Sequence, residues 1–252
     1  PNRRAIEVME QLDTLPVMVE GIHVHLKSQN LDADVLGGCY RDSWALAKRV
    51  RDVLGCGMRY VNFGSGVGVA YDEAFEQPMA LERLRTYTDA IAADNDATLK
   101  ARLMIETGRF PTAQAGTYWL RVVDKKVSRG KTYVIVENCM NGLQKPALAA
   151  MLRHELGGAA PTPYEPLFTS EWAFPVIAHG DESRTETVDI VGNLCCTADV
   201  LAEGFTGPAL AVGDLIEVRN AGAYACTLTA QRFSSHTPPQ ELLVYGDGTV
   251  EA

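Results

Sequence analysis

The sequence predicts an α/β array followed by an all-β domain. Two observations carry that prediction. As far as about Gly116, short β-branched runs alternate with stretches of helical periodicity, the pattern of parallel βα units. Beyond it, β-rich segments follow one another with glycine and proline between them, the pattern of an antiparallel sheet.

The elements follow in order. Arg3 to Leu12 sets Ile6, Met9 and Leu12 at helical spacing. Gly21-Ile-His-Val-His-Leu26 is a β-branched run bounded by turn residues, hence a strand. Trp44 to Leu54 reads as a helix, with Leu46, Val50, Val53 and Leu54 on one side and Lys48, Arg49, Arg51 and Asp52 largely outside. A strand at Arg59 to Phe63, a helix within Met79 to Ala93 and a strand at Leu103 to Glu106 complete the alternating part. The β-rich part offers Thr117 to Val123, Thr132 to Val136, Thr187 to Val191, Leu215 to Val218 and Leu242 to Tyr245. Gly157 to Pro166 reads as a surface loop. About three βα units leave a parallel array incomplete with open edges, so the remaining units are expected from elsewhere.

Charge narrows the function classes. The 252 residues carry 23 basic and 32 acidic side chains, a net charge of −9, which disfavours nucleic-acid binding through a broad basic surface. No apolar run reaches the ~20 residues of a membrane-spanning helix, and no secretory signal core follows Pro1-Asn2-Arg3-Arg4. The 6 cysteines at 39, 56, 139, 195, 196 and 226 lack paired CxxC spacing. Reduced thiols in a cytoplasmic protein, with no metal site, are expected.

Four stretches could carry chemistry. His23 and His25 end the first strand and, by alternation, face one side; they are either ordinary hydrogen-bonded histidines or imidazoles toward a ligand, with Ser28 and Gln29 just beyond. Asn62-Phe-Gly64-Ser65-Gly66-Val-Gly68 is either a tight turn or a backbone cradle for an anion, and it matches neither a P-loop nor the dinucleotide fingerprint. Glu106-Thr107-Gly108-Arg109 is either a surface ion pair or a carboxylate and a guanidinium holding two ends of one ligand. Cys195-Cys196-Thr-Ala-Asp199, within a β-rich segment, offers either packing thiols or a proton-donating thiol.

Taken in order, these stretches resemble the fold-type III pyridoxal-phosphate decarboxylases, the group of diaminopimelate, ornithine and arginine decarboxylases. The resemblance runs through Gly21-Ile-His-Val-His25-Leu-Lys-Ser28-Gln, Gly64-Ser65-Gly66, Glu106-Thr107-Gly108-Arg109 and Met140-Asn141 with Pro146-Ala-Leu. It continues through Gly192-Asn-Leu-Cys195-Cys196-Thr-Ala-Asp199, Gly213-Asp214, Gly222-Ala-Tyr224 and Phe233. It implies the C-terminal part of a (β/α)8 alanine-racemase-like barrel over 1–115, then a β domain over 116–252. It implies pyridoxal 5'-phosphate as cofactor, with His25 stacked on the ring and Glu106 at the ring nitrogen. Ser28, the Gly64–Gly66 turn, Thr107, Gly108, Arg109 and Tyr224 are then expected around the cofactor, chiefly at its phosphate. Cys195 is expected to protonate the substrate carbon after carbon dioxide leaves, reaching in from a dimer mate.

Departures from that pattern shape further expectations. The Schiff-base lysine of the family lies upstream of everything present, so it is expected on a missing N-terminal segment or partner chain, and the chain alone is expected to be inactive. Lys27 stands where the family has glycine, and Lys145 belongs to the substrate-facing segment. Lys145, Cys196 and Asp199 are expected on the substrate side of an amino-acid site. Cys196 replaces an acid that reads a far amine, and Lys145-Pro-Ala-Leu-Ala149 loses the arginine and tyrosine of diaminopimelate decarboxylases. A specialised amino acid is therefore expected as substrate. A fold-type III racemase and a non-catalytic regulatory subunit are the competing readings.

Overall fold

The computed structural model describes residues 7, 8, 11, 16, 18–55, 57–71, 76–155 and 173–252. Most of the helix expected at Arg3 to Leu12 and the loop expected at Gly157 to Pro166 lie outside the described residues. The chain divides into two units, one ending at Pro111 and the other beginning at Thr112.

In the first unit, strand β1 (Gly21–His23), helix α1 (Ala33–Leu54), strand β2 (Tyr60–Asn62), helix α2 (Leu81–Ala97) and strand β3 (Arg102–Met104) alternate. The strands pair in parallel in the order β1-β2-β3, with Ile22 opposite Val61 and Val61 opposite Leu103. Leu36, Tyr40, Trp44, Ala47 and Val50 of α1 recur at helical spacing and close over Ile22, Val61 and Phe63.

Helix α1 begins well before Trp44, where the periodicity had placed its start. Gly37 and Gly38 interrupt the apolar pattern, and each glycine costs a helix about 1 kcal/mol in propensity. Packing overrides that cost, because Gly37 lies flush against the Tyr87 ring of α2, where a Cβ would clash. Asp32 caps the start by accepting from the Asp34 and Val35 amides at 2.9 and 3.0 Å. Gly55, at φ 63°, ends the helix.

The second unit holds β4 (Tyr118–Ser128), β5 (Lys131–Val136), helix α3 (Gln144–Glu155), β6 (Val176–His179), β7 (Asp181–Gly192), β8 (Val200–Ala209) and β9 (Leu215–Val218). These strands form one six-stranded sheet, ordered β6-β9-β4-β5-β7-β8. Pairing is antiparallel throughout except between β5 and β7. Alternation fixes the inner face: Tyr118, Leu120 and Val122 of β4 are buried, while Trp119, Arg121 and Val123 are exposed. A separate two-stranded ribbon pairs β10 (Leu243–Val244) with β11 (Val250–Glu251).

Several boundaries differ from the sequence expectation. Strand β7 begins at Asp181 and not at Thr187, and β4 runs on to Ser128. Strands β6 and β8 and helix α3 were not anticipated. In β8, Gly204, Gly207 and Pro208 conceal the strand, and the proline is tolerated because β8 ends the hydrogen-bonded order. Pro146 stands in the first turn of α3, where an amide hydrogen bond is not required. No helix among the described residues is long and apolar enough to cross a membrane.

Candidate functional site

In the first unit, the expected site residues gather beyond the C-terminal ends of the parallel strands, where such sheets place ligands. Strand β1 ends at His23, so His25 lies past it and not within it. The His25 ring makes two contacts. Its Nδ1 accepts from the Ser65 amide at 3.3 Å, and its Nε2 stands 2.8 Å from Ser28 Oγ. Since Nδ1 accepts, the neutral ring carries its proton on Nε2 and donates to Ser28.

The Gly64–Gly66 turn follows β2. Gly64 and Gly66 adopt φ of 62° and 87°. A Cβ on Gly64 would strike the His25 imidazole, and one on Gly66 would lie 2.7 Å from the Lys27 carbonyl oxygen. Glycine is therefore required both for conformation and for closeness. The turn is braced from three sides. Tyr40 donates its hydroxyl to the Ser65 carbonyl at 2.6 Å. Asn30 accepts from the Gly68 amide and donates its own to the Gly66 carbonyl, both at 2.9 Å. The Gln29 side chain donates to the Val69 carbonyl at 2.6 Å and accepts from the Val69 amide at 3.1 Å, acting as a surrogate peptide group.

Glu106 follows β3. Its amide donates to the Gly64 carbonyl at 2.6 Å, which ties the acid to the glycine turn. Asn62 donates from Nδ2 to Glu106 Oε1 at 2.7 Å, and His23 Nε2 stands 3.5 Å from Oε2. Thr107 and Gly108 are exposed beside it, whereas Arg109 is buried and donates to the Tyr71 hydroxyl at 3.0 Å. The carboxylate is thus tied to the glycine turn, and a buried guanidinium follows it three residues on.

Asn62 and Tyr71 carry these contacts; Asn62 opens the glycine-rich stretch but was given no role of its own, and Tyr71 was not singled out from the sequence. A signal existed for Asn62, whose Oδ1 accepts from the Gly64 amide at 2.9 Å, the local bond that asparagine favours at turns. None existed for Tyr71, which meets Arg109 only through the fold.

In the second unit, Cys195 and Cys196 lie in the turn between β7 and β8 and not within a strand. Cys195 is exposed and Cys196 half-buried. Asp199 is 3% exposed, and its two oxygens accept from the Met140 and Leu194 amides at 2.8 and 2.9 Å. Burial, then the nearby Asp199 charge, push the Cys139 thiol well above its ordinary range.

Lys145, the second residue of α3, is also buried; its Nζ lies 4.9 Å from the Tyr224 ring centroid and 5.9 Å from that of Phe174. Tyr224 itself is exposed and holds φ 57°. The turn before it is pinned by the Ala221 and Gly222 amides, which donate to the Gly116 and Ala113 carbonyls at 2.9 Å. Among the described residues, no three His, Cys, Asp or Glu side chains come together as a metal site.

Comparisons with known proteins place the chain in a family. A sequence model of the pyridoxal-dependent decarboxylase C-terminal sheet domain matches residues 17–222. An L-glutamyl-[BtrI acyl-carrier protein] decarboxylase of Niallia circulans is 29% identical over 225 residues, 88% of this chain and 50% of that protein. A 2-[(L-alanin-3-ylcarbamoyl)methyl]-2-hydroxybutanedioate decarboxylase of Staphylococcus aureus is 29% identical over 93% of this chain and 56% of its own length. The crystal structure of diaminopimelate decarboxylase from M. jannaschii in co-complex with L-lysine superposes with a TM-score of 0.73 at 21% identity. That superposition covers 98% of this chain and 51% of that one, so the two share a fold. The chain spans about half the length of the relatives it matches. With the family model covering most of its residues, the chain belongs to the pyridoxal-dependent decarboxylases, whose cofactor is pyridoxal phosphate, and carries their C-terminal sheet domain.

Proposed function

We propose that this chain supplies the ring-nitrogen and phosphate contacts and the proton donor of an amino-acid decarboxylase. On this reading, the lysine that binds the cofactor covalently comes from polypeptide outside the chain, a barrel segment or a partner. A dimer mate shares the complete site. The observation that carries the reading is Glu106, set by Asn62 and His23 beside the glycine turn that follows β2.

The residues present fit pyridoxal phosphate. The group offers a ring nitrogen that seeks an acid and a phosphate that seeks amides and cations. Glu106 is an acid whose position is fixed by an amide donor. The Gly64–Gly66 turn, at positive φ and packed against His25 and the Lys27 carbonyl, brings backbone amides beside Glu106, and Arg109 adds a buried cation. When bound, the cofactor would supply an electron sink for loss of the carboxylate. Glu106 would hold a proton at the ring nitrogen, His25 would contact the ring, and Ser28, Ser65, Thr107, Gly108, Arg109 and Tyr224 would serve the phosphate. Cys195 delivers a proton to the substrate carbon.

The substrate is an amino acid whose far end carries an acyl linkage or an acid and not a simple amine. Cys196 offers no charge to a far ammonium, while Lys145 brings a cation near Tyr224. The names of the Niallia circulans and Staphylococcus aureus relatives describe acyl-linked amino acids of this kind.

The test is carbon dioxide release by the complete enzyme from meso-diaminopimelate and from acyl-linked amino acids. Turnover is expected with the latter and should fall about 10²–10⁴-fold in Cys195→Ala. Turnover of meso-diaminopimelate at about 1 per second or faster would overturn the substrate assignment.

A further inference from the structure

Asp199 belongs to the turn that carries Cys195, yet its carboxylate faces inward. Oδ2 accepts from the Leu194 amide at 2.9 Å, and the Asp199 amide donates to the Cys196 carbonyl at 3.1 Å. The residues on both sides of Cys195 are therefore tied to one side chain and its own backbone. The Asp199 carbonyl also accepts from the Gly192 amide at 2.8 Å, which closes the turn where β7 ends. Gly192 has no room for a side chain, since a Cβ there would strike the Asp199 carboxylate.

Oδ1 reaches a different loop. It accepts from the Met140 amide at 2.8 Å, next to the buried Cys139 thiol, which burial and the Asp199 charge push well above its ordinary range. A buried carboxylate needs such donors, because desolvated charge is costly unless hydrogen-bonded. Among the described residues no cation pairs with it, and its two oxygens rest on backbone amides. With both oxygens taken up by backbone amides at 3% exposure, Asp199 has little left for a substrate.

We propose that Asp199 is a positioning residue that fixes the Cys195 turn against the Cys139–Met140 loop, and that it is not a substrate contact. This rests on Cys195 being the proton donor. The consequence is stereochemical as well as kinetic. A donor held on both sides protonates the substrate carbon from one face, and a loosened one lets water compete.

The experiment compares Asp199→Asn and Asp199→Ala in the complete enzyme with the parent. Asparagine keeps one acceptor oxygen and should lie between the other two. In Asp199→Ala, kcat should fall about tenfold to a hundredfold with KM within about twofold. Reaction in D2O should give product with scrambled configuration at the deuterated carbon. Hydrogen exchange at the Leu194 and Met140 amides should quicken at least about tenfold, with the Ile190 and Val134 amides unchanged. That last reading needs no turnover. A raised KM with kcat and amide exchange unchanged would assign Asp199 to the substrate and overturn the proposal. Separately, Cys195→Ala with undiminished kcat and intact stereospecificity would overturn the reading of Cys195, whatever Asp199 does to amide exchange.

Discussion

Asn62 serves two masters across the glycine turn: its Oδ1 takes the Gly64 amide at 2.9 Å, while its Nδ2 gives a hydrogen bond to Glu106 Oε1 at 2.7 Å. The orientation of the amide is thus determined by the chain itself, with its NH2 toward the acid. Asn62 is 6% exposed, so neither bond is readily replaced by water.

Asn62→Ala should therefore lower stability by about 2 kcal/mol, roughly 1 for each lost bond, as measured by urea unfolding. Asn62→Asp should be worse at neutral pH than in mild acid. Two adjacent carboxylates repel, and protonating one of them relieves the repulsion.

Gly64→Ala and Gly130→Ala separate conformation from crowding. Both glycines have positive φ, 62° and 79°, but a Cβ at Gly130 meets nothing within 4 Å. Gly130→Ala should cost about 1–2 kcal/mol for the left-handed backbone alone. Gly64→Ala carries the same strain and also displaces the His25 imidazole, so its urea midpoint should fall distinctly further.

Tyr40 gives a pH dependence. Burial holds its hydroxyl protonated up to about 12, from an ordinary 10.0. The folded state retains a proton that the unfolded chain releases between those values. The stability tied to this group is intact below about pH 10 and is lost as pH rises toward 12, about 2–3 kcal/mol over the full window. Urea midpoints at about pH 9 and about pH 11 should differ less in Tyr40→Phe than in the parent.

Leu36 and Ile190 anchor the separate cores of the two units, at 1% and 0% exposure. Leu36→Ala and Ile190→Ala should each cost about 2–5 kcal/mol, read from thermal or urea unfolding. Val127→Ala, at 73% exposure on the same sheet as Ile190, should stay within about 0.5 kcal/mol.

The parts legible in the sequence were those with local causes. A glycine turn after a β-branched run and an acid at the next strand tip announce themselves within a few residues, and so did Gly64, Gly66 and Glu106. What escaped notice depends on distant partners. Tyr71 matters because Arg109 lies against it; Asp199 was singled out, but its tie to Met140, from another loop, was not visible in the sequence. The first half of α1 was hidden by Gly37, whose reason for being glycine is the Tyr87 ring on another helix. Strand β8 was hidden by residues that only an edge position tolerates.

The sheet order of the second unit bears on how the protein is made. Strand β9 is the last of the six to leave the ribosome, yet it pairs with β6 on one side and β4 on the other. Until Leu215–Val218 emerges, β6 has no hydrogen-bonded neighbour and β4 keeps an unpaired edge. A nascent chain halted before that point exposes strand edges that invite pairing with other chains. Four residues, the last of the sheet to be made, thus govern whether β6 joins the strands synthesised around it.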